Sequence, residues 1–264
     1  LKMVKNMKDK FKDIKSKIWS YEEMYDRVRV LKDQFKGETA YICTAGPTFN
    51  KFSEDLLREK LQDELVISIK QTQDTLKDLT DIHFLNFCNL NQYSYPNPNT
   101  IVGWAVWDNS QPNIIIENWP VDFILDTFKL GDGTPKLKNS ISHTGQWGWL
   151  DLNESFSRPW GPGTMYEMAI PFALYMGCTK IVTVGWDLFK NTLNNPDNRP
   201  DDWFYNGLQY QQTKTVGSIE ELEMVKNSTK GLYEWLSSRG VELVIVDPDG
   251  DNPAYDKIKR IKTI

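Results

Sequence analysis

The sequence predicts an α/β protein: a Rossmann-like, mostly parallel sheet with helices on both faces, preceded by an N-terminal helical extension. Three observations carry that expectation. Strand-like and helix-like patterns alternate towards both ends of the chain, the arrangement that builds parallel sheets. The β-branched run Ile181-Val182-Thr183-Val184 is apolar without alternation, as strands buried on both faces are. The stretch from Arg158 to Phe189 reads as a glycine-rich loop, a helix, a tight turn at Gly177 and that core strand, with Asp187 at its end.

Taken in order, Met3, Met7, Phe11, Ile14 and Ile18, then Tyr25, Val28, Leu31 and Phe35, recur at helical spacing with lysines between them. This extension, residues 1–37, is expected to pack on its own domain; contact with a membrane surface or a partner is the lesser alternative for such a pattern. The domain proper, 38–264, opens with a strand over Ala40 to Thr44 that runs into Ala45-Gly46-Pro47-Thr48. Ser53, Glu54 and Asp55 begin a helix through Leu61, with acidic residues suited to its positive end. Leu65 to Ile69 is the second strand, a short helical stretch surrounds Thr75, and Ile82 to Cys88 is the third strand.

The proline-bearing loop near 89–100 is too polar for a core. Ile101 to Trp107 and Ile114 to Glu117 read as strands, and Val121 to Leu130 as a helix ended by Gly131-Asp132-Gly133. In the central helix Met165, Met168, Ala169, Phe172, Tyr175 and Met176 form one apolar face. Ile170 and Leu174 extend it nearly all round, and Gly177 is placed to end the helix in a left-handed conformation. Loop or lid insertions are expected near 134–162 and 190–215. A helix from Ile219 to Arg239 and a strand from Val241 to Val246 form the last unit, followed by Asp247-Pro248-Asp249-Gly250-Asp251.

With 264 residues, 40% of them apolar and 12% aromatic, the chain has material for one large domain and a small appendage. A net charge of −5 argues against a nucleic-acid surface as its main business. No stretch approaches a transmembrane span, and the N-terminus lacks a signal-peptide core. Cys43, Cys88 and Cys178 lie in or beside apolar runs without metal-ligand spacing, which fits buried thiols in a reducing, cytoplasmic setting. Beginning at Leu1 rather than Met, the chain reads as processed or excised from something longer. Several of its ten tryptophans (Trp147, Trp149, Trp160, Trp203) sit in loop-like sequence, as stacking platforms for a ligand or as plugs on the core.

Three motifs bear on chemistry. In Thr44-Ala45-Gly46-Pro47-Thr48 a glycine at a strand end lets backbone approach a phosphate, and the helix beyond offers N–H groups. The later glycines of a dinucleotide fingerprint and the phosphate-loop lysine are missing, so a plain strand-to-helix turn is an equal reading. Gly161-Pro162-Gly163-Thr164 could also present amides to an anion with Arg158 as counter-charge, or simply allow close helix packing. In Gly185-Trp186-Asp187 the aspartate stands at the carboxyl end of a core strand, where open α/β sheets hold ligands. Of the two histidines, His83 falls inside a strand and reads as core. His143, in a Ser/Gly/Trp loop, is the better general acid or base. Asp247, Asp249 and Asp251 fit a surface turn better than a cation cluster, and no metal site is expected.

Together these residues resemble the bacterial sialyltransferase-like family: lipooligosaccharide sialyltransferases, motility-accessory glycosyltransferases and related pterin diphosphokinase-like proteins. Ala45-Gly46-Pro47-Thr48 is similar to the family's opening glycine-proline-serine turn. Gly163 to Leu188 is similar to its second hallmark, a small-residue turn, helix, Gly-Cys turn and strand ending in Gly-x-Asp. The resemblance spans Glu38 to Asp247. It implies a CMP-activated sugar held without metal near Gly46, Pro47 and Thr48, with Lys70 and Gln71 close by and Gly163, Thr164 and Asp187 on the other wall.

The chain also departs from the family pattern. Ala45 replaces an asparagine, no histidine follows His143, and Lys190 stands where phosphate-neutralising tyrosines are expected, with Tyr205 and Tyr210 further on. The base then falls to Asp187, His143, Glu220 or Glu221, and the phosphate to Lys190 or a tyrosine; Trp160, Tyr205 and Tyr210 are the expected substrate contacts. The expected function is a glycosyltransferase taking a nucleotide-sugar, with a glycan or protein as acceptor and no cofactor. The alternatives are a Mg-ATP-dependent diphosphokinase, with Asp187 as metal ligand, and a non-catalytic nucleotide- or sugar-binding module.

Overall fold

Short β-branched and aromatic runs separated by capped turns fold here into parallel strands. The structure, a computed structural model, describes residues 7–22, 24–86, 97–106, 121–126, 169–188 and 219–264. Among these, the strands are β1 (Thr39–Cys43), β2 (Leu65–Ile69), β3 (Ile82–Asn86), β4 (Ile101–Val106), β5 (Phe123–Asp126), β6 (Lys180–Val184), β7 (Glu242–Val246) and β8 (Lys259–Ile261). They form one sheet in the order β5-β4-β3-β2-β1-β6-β7-β8, and every neighbouring pair is parallel. The expected fold class is the one observed.

Alternation along each strand separates two apolar layers. Ala40, Ile42, Ile67, Phe84, Ile181 and Ile245 face a layer shared with α1 (Met7–Ile18), α2 (Met24–Arg29), α5 (Ile170–Tyr175) and α6 (Ile219–Ser237). Cys43, Val66, Val182, Val184 and Val244 face the other layer, against α3 (Glu54–Leu61) and α4 (Thr72–Leu76). Ser53 caps α3, its hydroxyl accepting the Leu56 N–H at 3.2 Å, as its sequence position suggests. Gly177 ends α5 with φ +89°. The α5 carbonyls of Tyr175 and Met176 are then capped by the amides of Asp33 and Phe35, at 3.1 and 2.8 Å.

The apolar face of α1 is spent on this core: Phe11, Ile14 and Ile18 are buried, and Phe11 stacks on Phe35. Two lysines on its flank, seven residues apart and so on one side of the helix, reach buried carboxylates. Lys8 Nζ donates to Asp81 Oδ1 at 2.8 Å and Lys15 Nζ lies 3.2 Å from Asp122 Oδ2. Asp81 and Asp122 play equivalent parts. Each precedes a strand by one residue and accepts the amide of a neighbouring strand, Val66 at 2.9 Å and Val102 at 2.6 Å. Burial pushes the Asp81 carboxyl up to about 6 against the pull of Lys8, and burial raises Asp122 as well.

Two expectations need correction. The stretch from Val121, expected as a helix, contains strand β5, pairing Phe123 to Asp126 with Gly103 to Val106. Its side chains settle the matter, since Phe123 is buried edge-on to Phe84 and stacked on Phe172 at 5.3 Å. Tertiary burial overrides a pattern that suits either element. Strand β8 had no counterpart in the sequence reading, because three residues with two exposed or half-exposed charges show no period. The strand expected over Ile114 to Glu117 and the glycine-rich entry to the central helix lie outside the described residues.

Candidate functional site

The strand order reverses at β1. The chain moves outward through β2, β3, β4 and β5, then returns to place β6 on the other side of β1. In open α/β sheets the loops leaving two such strands diverge to opposite faces and open a crevice at the carboxyl edge. Here those loops are 44–48 after β1 and 185–188 after β6, the two motifs singled out from sequence.

They are in intimate contact. Thr44 N–H donates to Val184 O at 2.8 Å and Gly46 N–H to Gly185 O at 3.0 Å. The Thr44 hydroxyl also donates to Gly185 O. Thr48 N–H donates to Asp187 Oδ2 at 2.7 Å. Both glycines are required by this approach. A Cβ on Gly46 would lie 2.1 Å from Gly185 O and 2.5 Å from Asp187 Oδ2; one on Gly185, which has φ +76°, would lie 2.4 Å from Thr44 O. Asp187 is only 5% exposed. The 185–188 loop is steadied from behind by Asn252, whose Nδ2 donates to Trp186 O at 2.9 Å.

This geometry alters two expectations. The amides of Gly46 and Thr48, expected to face an anion, are engaged within the protein. Asp187 ties one loop to the other, which suits a positioning carboxylate better than a base open to substrate. The Thr48 hydroxyl, fully buried, finds no partner among the described residues, and neither does Gln71 Oε1. Cys43, at the end of β1, is buried with its thiol pushed up to about 12, so it stays protonated and is no nucleophile.

Beside β1, the end of β2 brings up Lys70 and Gln71. Lys70 adopts φ +55° and Gln71 is buried at the entry to α4. The Thr72 hydroxyl ties this corner together, accepting from Ile69 N–H at 3.0 Å and lying 3.1 Å from Cys43 O. His83 is a core residue of β3, as its place in an apolar run suggests, with Nε2 3.0 Å from Lys70 O.

Gly46, Pro47, Thr48, Lys70, Gln71 and Asp187 therefore collect at the carboxyl ends of β1, β2 and β6. Glu220 falls in the first turn of α6, and its side chain is not among those described. His143, Arg158, Trp160, Gly163, Thr164, Lys190, Tyr205 and Tyr210 lie outside the described residues. The aspartates after β7 form a turn: Asp247 accepts the amides of Gly250 and Asn252, at 3.1 and 3.2 Å, and Asp249 pairs with Lys51. No metal-holding cluster occurs among the described residues. Sequence reasoning missed Asn252 and the link from His83 to Lys70. Neither has a local signal, since both contacts exist only once parallel strands are neighbours.

No family model and no curated protein matches the sequence. Among solved structures, the chain is similar to the MAf glycosyltransferase from Magnetospirillum magneticum AMB-1, with TM-score 0.45 and 9% identity over 97% of this chain and 38% of that one. It is also similar to the sialyltransferase CstII from Campylobacter jejuni in complex with cytidine-5'-monophosphate, with TM-score 0.42 and 13% identity over 81% and 82% of the two chains. A mammalian sialyltransferase is similar at TM-score 0.36 and 9% identity, over 89% and 85%. The chain spans just over a third of the length of the first of these.

Proposed function

We propose that this chain is a glycosyltransferase that binds a nucleotide-sugar in the crevice between the loops after β1 and β6. The observation that carries the reading is the Asp187–Thr48 contact. It joins the two stretches that resemble the sialyltransferase-like family, far apart in sequence, at the switch point where this fold class holds ligands. In the proposed reaction the acceptor hydroxyl oxygen bonds to the anomeric carbon as the bond from that carbon to the nucleotide phosphate oxygen breaks. The hydroxyl proton passes to a base and the electron pair leaves with the phosphate. Asp187 positions the loops, which leaves Glu220, Glu221 or His143 as the base. Gly46, Pro47 and Thr48 contact the nucleotide, and Arg158, Gly163 and Thr164 are assigned the same role. Lys190 steadies the leaving phosphate, and Trp160, Tyr205 and Tyr210 serve the sugar and its acceptor.

A diphosphokinase would use Asp187 as a magnesium ligand. The test is a thermal-shift panel of CMP, UDP, GDP and ATP, each with and without magnesium, because a ligand that binds only the folded state raises Tm by mass action. The expected result is stabilisation by CMP that needs no metal. Stabilisation by ATP with magnesium alone would transfer the assignment to the diphosphokinase, and no response at millimolar ligand would sink the nucleotide reading.

A further inference from the structure

Both loops of the crevice are also gripped by a third segment, the loop that joins β7 to β8. Asp249 pairs with Lys51, on the turn after β1. Asn252 donates its Nδ2 to Trp186 O, beside the carboxylate of Asp187 that receives the Thr48 N–H.

Asn252 is committed to this contact from several sides. It is buried, and its Oδ1 accepts the Ala254 N–H at 3.1 Å while Nδ2 donates to Trp186 O at 2.9 Å. The reversed amide would set oxygen against oxygen and N–H against N–H, so the network fixes its orientation. Its own N–H is held by Asp247 Oδ2 at 3.2 Å, and the following Pro253 biases its backbone towards extended conformations. Aspartate here would keep the acceptor and lose the donor; leucine would lose both.

The loop is held in turn from β8. Arg260 is the register partner of Ile245, so its side chain falls on the face that Asp247 shares, two residues further along. Its Nη2 donates to Asn252 O at 3.2 Å and Ala254 O at 2.8 Å, and its Nη1 to Ile258 O at 3.0 Å and Asp256 O at 3.3 Å. Its Nε lies 3.5 Å from the buried Asp247 Oδ2. Gathering four carbonyls of one loop requires a planar fork of donors, which arginine has and the single ammonium of lysine does not. The short strand that shows no period in sequence thus carries at its centre the residue that shapes the loop.

We infer that Asn252 and Arg260 are positioning residues for the crevice. Asn252 fixes the Trp186–Asp187 peptide, and with it the Asp187–Thr48 bond, and Arg260 fixes Asn252. Their bearing on ligand binding rests on the nucleotide reading given above; their hold on the loop does not.

Amide hydrogen exchange, followed by NMR without ligand, reads that hold. The reporter is the Thr48 N–H, bonded to Asp187, and the control is the Val66 N–H, bonded to Asp81 near the amino end of β2. Losing one hydrogen bond predicts exchange about 10-fold faster at Thr48 in Asn252→Asp and Asn252→Leu, with Val66 unchanged. Arg260→Lys, which keeps the charge and the stem where Arg260→Met fails to fold, should give a smaller rise. In the Asn252→Leu background it should add little, because Arg260 acts through Asn252. Calorimetry on the same variants should show CMP or UDP bound about 3- to 10-fold more weakly.

Thr48 exchange that is unchanged in both Asn252 variants would overturn the inference. So would a rise matched at Val66, which reports only a general loss of stability. Faster exchange at Thr48 with unchanged nucleotide affinity would overturn the role in binding. No binding of CMP or UDP by wild type would overturn the nucleotide reading and that role with it, while Thr48 exchange would still decide whether Asn252 holds the loop.

Discussion

Asp187 accepts the Thr48 amide across the crevice, and paired substitutions measure what that contact contributes. Asp187→Ala removes the acceptor of the Thr48 N–H, which is then left buried without a partner. An orphaned buried donor costs about 1–3 kcal/mol. The carboxylate also fills the space against Gly46, where a Cβ would come within 2.5 Å of Oδ2, so the truncation adds a small cavity. We expect a total loss of about 2–3 kcal/mol, a large fraction of the roughly 5–15 kcal/mol that stabilises a typical domain. Asp187→Asn retains an acceptor oxygen in the same place and exchanges a charge-assisted bond for a neutral one, so about 1 kcal/mol is expected. Urea unfolding at pH 7 reads both as midpoint shifts at constant slope. Asp187→Ala within about 0.5 kcal/mol of wild type would refute the claim that this carboxylate holds the β1 loop. So would Asp187→Asn proving as damaging as the alanine variant. CMP binding should survive in the asparagine variant, whereas a catalytic base would lose turnover there with stability intact.

Other consequences are open to direct measurement. Gly46→Ala forces a methyl onto Gly185 O and Asp187, an overlap that neither rigid loop can relieve; the loss should reach the upper end of the roughly 1–3 kcal/mol range for overpacking, read by urea denaturation, and nucleotide binding should fall with it. Lys15→Met removes the cation from the buried Asp122 but leaves it the Trp19 and Val102 N–H donors, so about 1–3 kcal/mol is expected, and adding Asp122→Asn should recover part of that in the same assay. Asp81 titrates near 6 in the fold against 3.8 unfolded, so between those values the native state binds more protons; its contribution is complete below pH 3.8 and is lost as pH rises through 6. Comparing wild type with Asp81→Asn by denaturation at pH 4.5 and 7.5 should therefore show a wild-type stability decline, of order 2 kcal/mol, that the variant lacks; parallel profiles would count against it.

Most of the layering was legible because burial on both faces writes itself into composition. Leu65 to Ile69 and Ile181 to Val184 are uninterrupted apolar runs, and no other element of a soluble α/β domain needs them in that form. The helix after Ser53 was legible from its cap and acidic first turn. Where burial is one-sided or local, the signal fails. Phe123 to Asp126 is too short to show a period, and the aromatic cluster with Phe84 and Phe172 that makes it a strand exists only in three dimensions. The same limit governed the site. The glycines and Asp187 could be read off as motifs, but the sequence could not reveal that the amides of Gly46 and Thr48 spend their bonds on the opposite loop.

That engagement explains why the two motifs must be considered as one. Gly46 is glycine because Gly185 O occupies the place of its Cβ, and Gly185 is glycine because Thr44 O occupies the place of its own. Neither requirement exists without the other loop, although 139 residues separate Thr48 from Asp187. A lone glycine turn after a strand is weak evidence of a ligand site, since many strand-to-helix turns need one. A reciprocal pair, locked by a buried carboxylate at the point where strand order reverses, is more specific, because close backbone approach across the crevice brings both loops within reach of one small ligand. With those amides committed to the lock, a phosphate bound here under the proposed function would draw its charge from side chains and not from the glycine turn.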